Sequence, residues 1–165
     1  MEAGLLFFQA RCTSACQHIL SRFAKYFGIE VPEVRTCVQK SELNSNIAHL
    51  LKLYPIVFLV GSASAKRPAC AGYIFNTLHI LPDSDGEPKG IMKLHGQKKL
   101  GYLIESIDQA IVLLPDDPYE VLKMVPDILA RIKVKYGLFG KIPKSVYLNY
   151  GQKIAEELAS LSESC

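Results

Sequence analysis

The order of apolar and polar positions divides the chain into alternating strand and helix patterns. Gly4 to Gln9 predicts a short strand, after which Ser14 caps a helix whose apolar side carries Ile19, Leu20, Phe23 and Phe27, with Gly28 placed to end it. Ile29, Val31, Val34, Thr36 and Val38 predict a second strand. Pro32 removes a ladder donor from it, which puts that strand at an edge or bends it. A second helix begins at Ser41 and turns Leu43, Ile47, Leu50 and Leu51 inward. Ile56 to Val60 is apolar at every position, the pattern of a central strand covered by helices on both faces. A loop of small residues, Gly61 to Ala65, follows, and Pro68 suits the first turn of a third helix reaching about Ile80. Ile91 to Leu94 and Lys99 to Glu105 predict a hairpin around His95 and Gly96.

Ala110 to Leu114 is a second wholly apolar strand, and Pro115 to Pro118 turns the chain into a helix running to about Tyr136. Asp117 as N-cap, Pro118 at the first helical position and Glu120 three residues after the cap satisfy the helix-start rules together. Pro126 predicts a kink or a restart in that helix. A last amphipathic helix spans Gln152 to Leu161. The alternation predicts an α/β fold: a three-layer sandwich with a mainly parallel sheet, helices on both faces and a small β-hairpin, formed as one domain over residues 1–165. Ligands in such sheets sit beyond the carboxyl ends of the strands, which singles out the loops Gly61 to Arg67 and Pro115 to Pro118.

Composition narrows the classes. At 165 residues and 49% apolar, the chain can bury about two-thirds of its unfolded surface around one core. No apolar run approaches the roughly 20 residues of a membrane span, and the first residues lack a basic segment followed by a long apolar one. The expectation is a cytoplasmic protein with no membrane contact. Cys12, Cys16, Cys37, Cys70 and Cys165 are odd in number and scattered, which suits a reducing compartment, and no ligand set for a metal accompanies them. A net charge of +3 is compatible with an anionic ligand or with a merely basic surface, whereas nucleic-acid binding would need a denser basic stripe or a recognisable module. His18, His49, His79 and His95 show no spacing that suggests a triad or a metal site, so no catalytic residue is identified.

The two loops carry the candidate chemistry. Backbone N–H groups of Gly61 to Arg67, with Lys66 and Arg67 adding charge, can hold a phosphate; the same small residues also simply let the chain turn tightly. The loop is neither a GxxxxGK[ST] nor a GxGxxG sequence. Asp116, Asp117 and Glu120 concentrate carboxylates that could bind a divalent metal or act as acid and base. Capping accounts for Asp117 and Glu120 but leaves Asp116 unexplained.

Lys99 to Lys123, KLGYLIESIDQAIVLLPDDPYEVLK, resembles the molybdopterin-binding-like domains of the competence-damage-inducible protein (CinA) and of the molybdenum-cofactor proteins MoaB and MogA. In them a Gly-Phe strand and a second strand lead to a Leu-Pro-Gly loop. Gly101 and Tyr102 stand for the Gly-Phe pair, and Leu114, Pro115, Pro118 and Glu120 fall in register. Upstream, Gly28 to Val31 and Ile56 to Gly61 are similar to the family's Gly-Ile-x-Val strand and its apolar strand ending in a glycine loop, so the likeness covers most of residues 14–137. The family's T-T-G-G-x-G-x-T-x-D-D-x-T pattern is replaced over Leu59 to Ala71, where Gly61 alone is retained, Ser62 and Ser64 stand for glycines, and Pro68 and Ala69 stand for the paired aspartates. Asp116 replaces the glycine of the Leu-Pro-Gly loop, and the N-terminal G-x-E loop is not recognisable in Met1 to Arg11.

The resemblance implies the family's scaffold with a degenerate site. Loss of two carboxylates disfavours magnesium and the family's catalysis. The expectation is a divergent domain binding a nucleotide or pterin-like anion through Gly61, Ser62, Ser64, Lys66, Arg67, Pro115, Asp116, Pro118 and Glu120. The resemblance also implies a homo-oligomer. Two alternatives stay open: a magnesium-dependent nucleotide phosphoanhydride hydrolase using Asp116, Asp117 and Glu120, and a ligand-free oligomeric interaction module.

Overall fold

The computed structural model describes residues 1–63, 65–147 and 150–163. Ser64 and Cys165, both raised by the sequence, lie outside the described residues. Strand β1 is Glu2–Phe8, helix α1 Thr13–Lys25, β2 Glu30–Cys37, α2 Lys40–Leu53, β3 Ile56–Gly61, α3 Ala71–Thr77, β4 Met92–His95, β5 Leu100–Glu105, β6 Ala110–Pro115, α4 Pro118–Tyr136 and α5 Tyr150–Glu163, with a 3-10 turn at Lys144–Tyr147. The strands form one sheet in the order β2-β1-β3-β6-β5-β4. β2, β1, β3 and β6 are parallel, and β5 and β4 complete the sheet as an antiparallel hairpin. The α/β architecture with a mainly parallel sheet and a hairpin is the one the sequence predicts.

Side-chain alternation explains why the middle strands are apolar throughout. Leu5 and Phe7 of β1, Phe58 and Val60 of β3 and Val112 and Leu114 of β6 enter one core with α1 and α4; Leu6, Phe8, Val57, Leu59 and Leu113 enter the other with α2 and α3. β2 and β3 flank β1 on opposite sides, so right-handed crossovers send α1 and α2 to opposite faces. β2 is an edge strand, and its register with β1 slips around Pro32, between the Glu2–Glu30 and Gly4–Glu33 pairs. The edge and the irregularity expected from that proline are both present.

Three local expectations need correction. Helix α1 begins one residue before Ser14 and has Cys12 as its N-cap, with no side-chain capping bond. Helix α3 ends at Thr77 because His79 adopts a left-handed φ of 55° and the Ile80 N–H turns back to the Phe75 carbonyl. Helix α4 does not restart at Pro126 but runs through it. The bond the proline cannot donate falls on the carbonyl of Leu122, a residue on the solvent side whose carbonyl water can serve.

Candidate functional site

The crossover from β1 to β2 and the return to β3 create a topological switch between β1 and β3, where an open α/β sheet leaves a crevice at its carboxyl edge. A polar cleft of about 480 Å³ lies there, lined by Gln9, Arg11, Cys12, Ser62, Ala63, Lys99 and Asp116. Two cations, a hydroxyl and a carboxamide thus meet one carboxylate around a cavity of ligand size.

Asp116 is held at the cleft by the backbone of a distant segment. Its N–H donates to the Gly61 carbonyl at 2.8 Å, extending the β3–β6 pairing by one residue. Its carboxylate accepts from the N–H groups of Arg11 at 2.5 Å and Cys12 at 3.1 Å, immediately before α1. The first turn of α1 contains no acidic residue of its own. Asp116 supplies that charge from 105 positions away in sequence, which is favourable at the positive end of a helix dipole. The residue the sequence left without a structural role therefore has one.

The neighbouring acids serve other backbones. Asp117 caps α4, accepting from the N–H groups of Tyr119 at 3.1 Å and Glu120 at 3.4 Å. Glu120 does not close a capping box. It is 6% exposed, and its carboxylate accepts from Lys98 N–H at 3.0 Å and Lys99 N–H at 3.2 Å in the β4–β5 connection. Such bonds are what make a buried carboxylate tolerable. Gly96 makes room for it, since a Cβ there would stand 1.8 Å from Glu120 Oε2. With the hairpin pinned in this way, Lys99 reaches across the cleft and donates its ammonium to the Ala63 carbonyl.

The loop after β3 has a different arrangement from the one its sequence suggests. Its backbone is tied down by Ala69 N–H to Ser62 carbonyl at 2.8 Å and Leu100 N–H to Lys66 carbonyl at 2.8 Å. Pro68 is buried, and the Cys70 sulfur packs so closely over Gly61 that a Cβ there would lie 2.6 Å from it. Lys66 and Arg67 are exposed and do not line the cleft. Arg67 turns to the α2/α3 face, where it faces the Tyr102 hydroxyl and lines a small cavity with Phe75 and Pro88. Of the residues named from sequence, Ser62 and Asp116 line the cleft; Gly61 and Pro115 are the buried ends of β3 and β6, and Pro118 opens α4.

Gln9, Arg11, Cys12 and Lys99 reach the cleft without having been singled out beforehand. Arg11 had a usable signal: it precedes a helix at the carboxyl end of a parallel strand, just as Lys66 and Arg67 do. The cysteines divide by burial. Cys12 is exposed at the cleft. Cys16 beneath it is pushed up to about 12 by burial and then by the Asp116 charge, and the Cys70 thiol is pushed up to about 12 chiefly by burial. The Cys16 and Cys70 thiols are therefore unreactive at neutral pH. Among the described residues no group of three His, Cys, Asp or Glu side chains is placed to hold a metal ion, and no helix is long and apolar enough to cross a membrane.

The fold is similar to that of the protein CinA from Thermoplasma acidophilum, a protein of unknown function, with a TM-score of 0.60 and 11% identity over 82% of this chain and 96% of that one. It is also similar to MoaB from Thermus thermophilus, a molybdopterin biosynthesis enzyme, with a TM-score of 0.56 and 10% identity over 85% of this chain and 99% of that one. No protein-family model matches the sequence, and no curated protein matches it. The chain thus has a CinA/MoaB-like fold, the architecture implied by the resemblance of its strand and loop segments.

Proposed function

We propose that this domain binds a small anionic ligand, a nucleotide or pterin-like molecule, in the cleft between the ends of β1, β3 and β6, and that it does so without catalysis. The observation that carries the proposal is the convergence of Arg11 and Lys99 on a cavity of about 480 Å³ at the topological switch of the sheet. Arg11 is exposed and offers a planar fork suited to phosphate or carboxylate. Lys99 keeps donors beyond the one spent on Ala63. Ser62 and Gln9 add neutral hydrogen-bonding groups for orientation. Relative to the set named from sequence, charge in this reading comes from the loops after β1 and before β5 in place of Lys66 and Arg67.

The reading without turnover is supported by how the acids are used. Asp116, Asp117 and Glu120 each accept from a separate pair of backbone N–H groups, an arrangement that stabilises loops and leaves no carboxylate poised as a base. A magnesium-dependent hydrolase would need those three groups to converge. The molybdopterin biosynthesis role of the Thermus protein favours a pterin-like anion within the broader class.

A second reading, a scaffold that has exchanged its ligand for an internal carboxylate, is favoured by Asp116 occupying the N–H groups of Arg11 and Cys12. A thermal-shift panel of nucleotides, ADP-ribose, nicotinamide mononucleotide and molybdopterin precursors separates the two. A ligand at about 100 times its dissociation constant adds about 2.7 kcal/mol. A shift that disappears in Arg11→Ala supports the binding reading, and no shift from any compound supports the second.

A further inference from the structure

The two faces of the sheet are covered unequally. On one, α1 and α4 bring 13 and 19 residues; on the other, α2 and α3 bring 14 and 7. Because α3 stops at Thr77, the sheet beyond it is left uncovered, and two contiguous cavities of about 320 and 300 Å³ open between α2, α3 and the sheet. They share Leu51, Leu78 and Ile111 and together form one trough. Its floor is Ile47, Ile74 and Ile111, and its wall includes Leu78 at 42% exposed. A trough of this kind is the complement of an amphipathic helix.

Such a helix is carried by the same chain. In α5, Ile154 and Leu158 stand one turn apart on one side, each 61% exposed, on a stripe that continues towards Leu161. We propose that α5 of one copy lies in the α2/α3 trough of a second copy, and that the exchange is reciprocal.

The path of the chain argues for a second copy. Leu138, Ile142 and Val146, on the segment before α5, pack on the α1/α4 core, the face opposite the trough. Docking in its own trough would require those residues to leave that core. Size argues for reciprocity: a helix of 14 residues is about 21 Å long, too little to cover alone the roughly 800 Å² per partner of a standard interface. Two such contacts related by a two-fold axis, each repeating the other, approach that size.

Sedimentation of the intact chain, of Leu158→Gln and of Ala48→Glu tests this. Ala48 lines the trough but is exposed, and Leu158 is on the open side of α5, so neither change threatens the core; circular dichroism verifies the fold of each. The expected result is a dimer whose dissociation constant rises by roughly 30-fold or more in each variant, the effect of losing a contact at a hot spot. A monomeric intact chain overturns the proposal, as does a dimer that either variant leaves unchanged. Neither substitution lies in the anion cleft, so the ligand panel reads out independently.

Discussion

The loops after β3 and β6 leave neighbouring parallel strands at the same edge of the sheet, yet their charged residues have opposite fates. After β6, Asp116, Asp117 and Glu120 all turn inward to backbone N–H groups and become structural. After β3, Lys66 and Arg67 turn away from the cleft and leave it to Ser62 and Ala63. Charge in a loop sequence is therefore a poor guide to charge in a site: a carboxylate that meets unpaired backbone N–H groups is taken up by them. In this molecule the acids find such groups, and the cations facing the cleft arrive from β1 and from the hairpin.

The largest effect is expected where the β6 side of this contrast is most buried. Glu120→Ala should lower the free energy of unfolding by about 2–4 kcal/mol, because two N–H groups lose a charged acceptor, and Gly96→Ala should cost a comparable amount by driving a methyl into the same carboxylate. Urea denaturation measures both, and a loss under about 0.5 kcal/mol, the range of a surface substitution, would show that the hairpin is not anchored through Glu120.

On the β3 side, Gly61→Ala should cost about 1–3 kcal/mol through overpacking against the Cys70 sulfur. Cys70→Ala in the same chain should recover part of that loss, since the clash is with the sulfur. Two losses that simply add would place the strain elsewhere.

A smaller effect, near 1 kcal/mol by analogy with a lost helix cap, is expected for Asp116→Ala. This substitution also separates stability from binding: freeing the Arg11 and Cys12 N–H groups should strengthen an anion in the cleft while weakening the fold. Calorimetry that finds both weakened would assign Asp116 a direct part in ligand contact.

The smallest effect concerns a polar cluster away from both loops. Glu33 is held below its usual 4.5, first by the bond from Arg35 and then by Tyr54 and His49, although burial opposes this. A depressed carboxylate contributes stability above its unfolded value and loses it as pH falls through the folded one. Glu33→Gln should therefore flatten the decline in melting temperature below about pH 4.5 and change little at pH 7; an unchanged acid limb would show that the cluster is thermodynamically silent.

Much of the fold was legible because its signals are local. Ile56 to Val60 and Ala110 to Leu114 had to be central, Pro32 had to mark an edge, and Asp117 with Pro118 had to start a helix. The cleft was less legible because its chemistry is tertiary. Lys99 is placed by a carboxylate 21 residues later, and Asp116 by N–H groups 105 and 104 residues earlier; neither pairing is a local pattern. The start of α1 departs from its local pattern for the same reason, since its nearby acid comes from the loop after β6 and Ser14 does not serve as the cap.

The most direct test of the central claim compares cations from the two sources on one ligand. Isothermal titration with the best compound of the anion panel should show affinity lost by about tenfold or more in Arg11→Ala and in Lys99→Ala, the equivalent of about 1.4 kcal/mol, and nearly unchanged in Lys66→Ala and Arg67→Ala. Affinity that falls in the second pair and survives in the first would contradict the account.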